Sequence, residues 1–286
     1  MSPHLIGFLL IIGCNIALGL NPPLAKLVYS HGGNPETVVA MRYLIGIPIL
    51  TLFLIISRQK LKFATFRSLP AWVVGLGWTV TSVGYLSSVF FIPVSLAVLL
   101  FFTFPIVVTL IDIALGKVGN NLFTLCVVAC AFVGLTFVLA PAFDQLDWRG
   151  LVLAFVGGLG TATAILVTNH KAQDLDRLSL AMVVLLTGAI IVAPVAILRD
   201  ALILPATISG NLYLLTAASL NAVALIMMFS AIKRIGSTQT ALFMNLEPLV
   251  TISVALLFLN EVLSPLQIAG VLVILSVLFA SSLRSK

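Results

Sequence analysis

The chain has 286 residues, of which 61% are hydrophobic and 8% charged, and its formal net charge is +6. A soluble domain has about 25% charged residues. This composition, with a mean hydropathy of +1.22, therefore excludes a soluble domain. The basic residues are spread over short segments between apolar runs, as membrane topology requires, so no nucleic-acid partner is expected.

Ten apolar runs are separated by charged residues or by Gly, Pro and Asn. They exceed the roughly 18 residues of a membrane-spanning helix and lack the short alternating pattern of barrel strands. The predicted spans are 5–28, 36–57, 68–91, 93–116, 120–141, 148–170, 178–198, 211–233, 237–259 and 265–283. The first run has no basic residues ahead of it and no convincing cleavage site, so it is interpreted as a span and not a signal peptide. Any function is expected to reside in the membrane bundle.

The distribution of Lys and Arg predicts the orientation of the spans. If the N-terminus is cytoplasmic, the inside segments hold eleven of these residues, whereas the outside loops hold Arg149 and Arg199. This positive-inside bias predicts that both termini face the cytoplasm. Lys26 and Arg42 lie just inside the outer ends of their spans, from where long side chains can snorkel to the interface.

Two prolines lie near the middle of predicted spans. Pro105 and Pro248 are 143 residues apart, half the length of the chain, and this offset superimposes spans one to five on spans six to ten. Proline lacks an N–H and interrupts a helix, so both spans are expected to be broken and both prolines to act as hinges. Because each half has an odd number of spans, the halves (1–143 and 144–286) are predicted to be inverted repeats.

Polar residues inside the spans are the candidate substrate contacts. In span three, Trp78, Ser82 and Tyr85 follow helical spacing on one face, which suits a small amphipathic solute. The alternative is an interfacial aromatic belt. The half-chain offset pairs Trp78 with Asn221. In span one, Asn15 is interpreted either as an interhelical hydrogen-bonding group or as a substrate contact.

Asn245 and Glu247 precede Pro248 and have no polar counterpart in the first half of the chain, where Phe104 takes the place of Glu247. The residue before a proline is displaced from helical geometry, so both side chains could face one cavity. Glu247 would then bind a substrate ammonium or carry a coupling proton. The alternative is a structural carboxylate at the break. The carbonyls of Phe101 and Met244, which lose their helical partners, are further candidate acceptors.

The paired breaks resemble a known family of transporters. The segments 85–100 and 229–244, which lead to Pro105 and Pro248, and the Glu247-Pro248 step followed by Asn260-Glu261, resemble the drug/metabolite transporter superfamily. Within it, the chain is similar to the EamA-type branch and to YddG-type amino-acid exporters. The resemblance covers the whole chain and implies a secondary transporter of the bacterial inner membrane. It does not select the substrate, because members carry amino acids, nucleobases, sugars, cations and drugs.

Together these features predict an all-α integral membrane protein that moves small amphipathic metabolites, most plausibly amino acids, as a monomer in the bilayer. Export by alternating access is expected, with the proton as a candidate coupling ion. The alternatives are an exporter or importer of another metabolite or cationic drug, or a channel. No cofactor, metal site or enzymatic activity is expected, because no phosphate loop, nucleophile–base pair or metal-ligand spacing occurs.

Overall fold

The computed structural model describes residues 3–115, 147–244 and 246–284, together with 126, 129, 130, 133, 134, 136 and 137. Over this part of the chain every regular element is a helix. The helices are α1 (Pro3–Gly19), α2 (Asn21–Ser30), α3 (Pro35–Ile56), α4 (Phe63–Phe66), α5 (Leu69–Phe91), α6 (Val94–Phe101), α7 (Phe104–Ala114), α8 (Trp148–Lys171), α9 (Arg177–Leu198), α10 (Ile208–Met244), α11 (Glu247–Phe258) and α12 (Pro265–Arg284).

Within the described ranges, six helical segments are long and apolar enough to cross a membrane. They are His4–Ser30, Pro35–Ile56, Leu69–Phe91, Trp148–Lys171, Arg177–Leu198 and Ile208–Ile232. Three shorter apolar helical segments lie within the two spans predicted to be broken and within the last predicted span. They are Val94–Val108, Glu247–Phe258 and Pro265–Ser276. The span predicted at 120–141 lies largely outside the described residues, so the count of ten spans stays a prediction.

The two predicted helix breaks are present and have the same local geometry. Helix α6 ends at Phe101 and α7 begins at Phe104, while α10 ends at Met244 and α11 begins at Glu247. In each break the backbone N–H of the residue before the new helix donates to a carbonyl three residues back, from Thr103 to Leu100 at 3.1 Å and from Leu246 to Phe243 at 3.0 Å. Both prolines occupy the second position of the new helix, where a missing N–H costs nothing.

The predicted non-helical boundary between residues 233 and 237 is wrong, because the backbone stays helical to Met244. A single glycine costs a helix only about 1 kcal/mol, so Gly236 does not end it. Along α1, Gly7 faces Ile235 and Gly13 faces Met227, whereas Gly19 faces Val250. The packing of α10 on α1 is thus antiparallel up to residue 235, and α11 packs at the C-terminal end of α1.

Glycines bring α5 and α8 into backbone contact. A Cβ at Gly84 would lie 2.6 Å from the Gly157 nitrogen, and one at Gly160 would lie 2.6 Å from the Gly77 carbonyl oxygen. The Thr81 hydroxyl adds hydrogen bonds across the contact, 2.9 Å from the Thr161 hydroxyl and 3.2 Å from the Gly157 carbonyl. We call this contact the glycine seam. Small residues thus let α8 approach α5 closely.

Two charged side chains hold the corner between α5 and α6. The Glu261 carboxylate accepts hydrogen bonds from the backbone N–H groups of Val94, at 2.6 Å, and Ser95, at 3.0 Å, at the start of α6. The Lys26 ammonium donates to the Val89 carbonyl, at 2.6 Å, at the end of α5. Snorkelling of Lys26 to the interface is therefore not seen, because the carbonyls at this helix end supply its partners. Each charge thus sits at the helix terminus of opposite partial charge.

We expect Gly157→Val to lower the stability of the purified protein by about 1–3 kcal/mol, the usual cost of overpacking a tight contact. The new Cβ would lie 2.7 Å from the backbone nitrogen of Tyr85, which cannot move without shifting α5. Thermal unfolding in detergent measures the effect. Val156→Leu is the control, because Val156 is next to Gly157 in the sequence but its side chain is 37% exposed. Equal melting temperatures for both variants would contradict the glycine seam.

We also expect Glu261→Ala to destabilise the fold by about 1 kcal/mol, because two backbone donors of α6 lose their acceptor. Glu261→Gln keeps one acceptor oxygen and should lose less. The same thermal unfolding assay ranks the three proteins. If alanine were tolerated as well as glutamine, the cap would have no stabilising role.

Candidate functional site

Tyr85 connects the two helix breaks. Its ring stacks on Phe101, the last residue of α6, with centroids 4.3 Å apart and planes 5° from parallel. Its hydroxyl lies beside Thr251 of α11, one turn after Glu247. The Tyr85 ring is 6% exposed, and its hydroxyl has no hydrogen-bond partner among the described residues. A polar group without a partner therefore lies buried between the broken helices.

Glu247 and Arg42 both lie within electrostatic range of this hydroxyl. The Arg42 guanidinium lies within electrostatic range of both Glu247 and Tyr85. Glu247, at the start of α11, lies equally within range of Arg42. We call Arg42, Tyr85 and Glu247 the central cluster. It places one positive group, one negative group and one free hydroxyl inside the helix bundle.

Arg42 corrects the prediction from the sequence, which had its side chain snorkelling outward. It lies seven residues into α3, about 10 Å along the helix axis at 1.5 Å per residue. Its guanidinium turns inward, because Glu247 provides an opposite charge inside the bundle. Sequence reasoning omitted Arg42 from the site. The available signal was a charged residue within an apolar span, which is by default a functional candidate.

Asn15 lies beside the central cluster on α1. Its amide nitrogen donates to the Ile11 carbonyl at 2.7 Å, while its side-chain oxygen is buried without a hydrogen-bond partner among the described residues. The preceding residue, Cys14, lies within electrostatic range of Glu247. One turn further, Gly19 packs against Val250 and the Glu247 carbonyl. Asn15 thus has the local hydrogen bond of a structural residue and a buried acceptor without a partner among the described residues, on a helix that contacts the start of α11 at Gly19.

The other predicted contacts in span three do not all join the cluster. Ser82 is buried next to the Tyr43 hydroxyl, which donates to the Trp78 carbonyl at 3.3 Å. The Trp78 indole packs instead in an apolar cluster with Val74, Ala164 and Val183. Although Trp78, Ser82 and Tyr85 follow helical spacing, their side chains do not form one continuous face toward Glu247. The sequence of α5 alone does not show that Trp78 packs against α8 and α9.

The remaining predicted residues are distributed as follows. Asn221 is 3% exposed in α10, next to Ala222, which contacts Gly46 of α3. Asn245 lies outside the described residues. Pro105 and Pro248 begin helices at the breaks, and their role as hinges stays a prediction. The Phe101 carbonyl, expected to be a free acceptor, lies against Gly158, where a Cβ would be 3.0 Å from the oxygen.

Comparison with known proteins identifies the class. The model of the EamA-like transporter family matches residues 5–140 and again residues 148–283. The two matches span most of the chain, so it belongs to the EamA-like transporter family and is a multi-pass membrane protein. The family match and the apolar helices agree with the resemblance drawn from the residues around Pro105 and Pro248.

Among curated proteins, the chain is similar to the threonine/homoserine exporter RhtA of Salmonella typhimurium, from strains SL1344 and LT2. Each is 28% identical over 268 residues, which cover 91% of this chain and 85% of the relative. A solved crystal structure aligns over 100% of this chain and 99% of its own, with a TM-score of 0.67 and 18% identity. At that identity the structural likeness supports the fold alone.

We expect Tyr85→Phe to keep the stability of the wild-type protein within about 0.5 kcal/mol, because the hydroxyl has no hydrogen bond to lose. Tyr85→Ala removes the stack on Phe101 and should cost about 3 kcal/mol or more. Chemical or thermal unfolding of both variants in detergent separates the two effects. A phenylalanine variant as unstable as the alanine variant would show that the hydroxyl is structural.

Proposed function

We propose that this chain is a secondary transporter that exports small amino acids or closely related metabolites across the bacterial inner membrane. The observation that carries the proposal is the Glu247 carboxylate at the start of α11, inside the bundle and next to a helix break. An ionisable group in this position is costly, and its usual uses are substrate binding and proton transfer. Both termini face the cytoplasm in this proposal, as the distribution of Lys and Arg predicts.

The similarity to the threonine/homoserine exporter RhtA supports small polar amino acids as the first substrates to test. Such substrates carry an ammonium, which Glu247 can bind, and a hydroxyl, which Tyr85 and the Asn15 oxygen can contact. Threonine and homoserine are therefore preferred over large drugs. The carboxylate can also bind a proton in place of the substrate ammonium, and this competition would couple export to a pH gradient.

Alternating access requires one side of the site to open while the other closes. Each break separates two helices. On one side of the site, α6 from the first break packs against α11 from the second. On the other side, α7 packs against α8. In the proposed cycle α6 and α11 separate when the site faces outward, while the glycine seam stays fixed. The two helix breaks allow this movement, because a helix that is interrupted at one point can bend there.

Glu247→Gln should reduce transport of labelled threonine into proteoliposomes on the order of tenfold or more, the usual loss when a charge-assisted hydrogen bond is removed. The measurement compares initial rates with and without an imposed pH gradient. Glu36→Gln is the matched control, because Glu36 is an exposed carboxylate in the first turn of α3. It should transport at the wild-type rate.

Undiminished transport by the Glu247→Gln protein would overturn the role of the carboxylate and leave it as a structural group at the break. Transport that persists but no longer responds to the pH gradient would assign Glu247 to proton coupling. Rates of thousands of solutes per second or more would indicate a channel and contradict alternating access.

A further inference from the structure

Arg42 has the properties of a binding group and not of a structural ion pair. Its guanidinium carries five donors. No hydrogen bond or ion pair from Arg42 is found to any described residue, and its guanidinium interacts with Tyr43, Glu247 and Tyr85 through electrostatics alone. A guanidinium inside a bundle is normally paired and hydrogen-bonded, since its desolvation is otherwise uncompensated. The donors of Arg42 are therefore available to a ligand.

The Glu247 carboxylate, like the Arg42 guanidinium, forms no direct ion pair with a described residue. Within the described ranges, an ion pair closer than 4.0 Å joins Arg149 to Asp147, and none joins Arg42 to Glu247. The Thr251 hydroxyl donates to the Glu247 backbone carbonyl at 3.1 Å, and no described residue donates a hydrogen bond to the Glu247 carboxylate. Both side chains are half-buried. The two opposite charges lie within electrostatic range of each other without forming a direct ion pair.

We propose that the central cluster binds the zwitterionic head of an α-amino acid, with Arg42 holding the substrate carboxylate and Glu247 the substrate ammonium. This inference rests on the proposed function and adds to it a residue, a binding mode and a rule of selectivity. The planar fork of an arginine suits a carboxylate, with which it makes two parallel hydrogen bonds. The Tyr85 hydroxyl, which has no hydrogen-bond partner among the described residues, lies within electrostatic range of both charges and can bond the head group as a third partner.

The arrangement predicts selection against molecules that lack either charge. An amide or ester of an amino acid leaves Arg42 without its anion, and an α-hydroxy acid leaves Glu247 without its cation. In both cases one protein charge stays buried and unpaired, which is the strongest basis for rejecting an analogue. A free amino acid satisfies both charges at once. The site should therefore accept many neutral amino acids but reject simple amines and simple carboxylates.

The test measures the apparent Kd of threonine, threonine amide and the α-hydroxy analogue of threonine by calorimetry on the purified full-length protein in detergent. We expect the wild-type protein to bind threonine on the order of tenfold or more tightly than either analogue. Arg42→Gln should bind threonine and its amide equally, and Glu247→Gln should bind threonine and the α-hydroxy analogue equally. Arg199→Gln is the control, an exposed arginine that should keep the wild-type ratios.

The wild-type ratios need no variant, so the proposal can fail even if a substituted protein does not fold. Equal affinity of the wild-type protein for threonine and its amide, together with threonine transport, would overturn the role of Arg42 and leave the transporter standing. Loss of threonine affinity in Arg42→Gln with the amide affinity unchanged would support the proposal. A wild-type protein that neither binds nor transports any neutral α-amino acid would overturn both this inference and the proposed function.

Discussion

The constraint on which this structure depends is that a helix cannot be interrupted inside a membrane unless protein covers the interruption. Backbone groups without partners are too costly in hydrocarbon. Both breaks contain a short turn in which one N–H donates to a carbonyl three residues back. At the first break the Phe101 carbonyl lies against Gly158, a residue whose lack of a side chain permits the contact. The breaks are therefore built into the packing of the bundle.

The same packing accounts for the position of the charges. The glycine seam fixes α5 against α8, and a Cβ at Gly157 would collide with the backbone of Tyr85. Tyr85 is thus held between Phe101 at one break and Thr251 beyond the other. Glu247 and Arg42 approach its hydroxyl from separate helices, α11 and α3. In the proposed cycle, the glycine seam is the scaffold and the interrupted helices beside it are the moving parts.

Much of the fold follows from local features of the sequence. The lengths of the apolar runs predict most spans, and Pro105 and Pro248 predict both breaks, because span length and proline geometry act within one segment. The direction of the Arg42 side chain and the packing partners of Trp78 could not be predicted, for the opposite reason. Whether a side chain near a span end turns outward or inward depends on which helix packs beside it, and this information lies in distant parts of the chain. Glu247 was identified because its position beside a proline is visible locally, whereas its partner Arg42 lies two hundred residues away.

The most direct test of the account is an experimental structure of the protein with a bound neutral amino acid. The central cluster predicts ligand density between Arg42 and Glu247, with the substrate carboxylate at the guanidinium, the ammonium at the Glu247 carboxylate and the Tyr85 hydroxyl within hydrogen-bonding distance. A direct ion pair between Arg42 and Glu247, with the amino acid bound elsewhere, would contradict it.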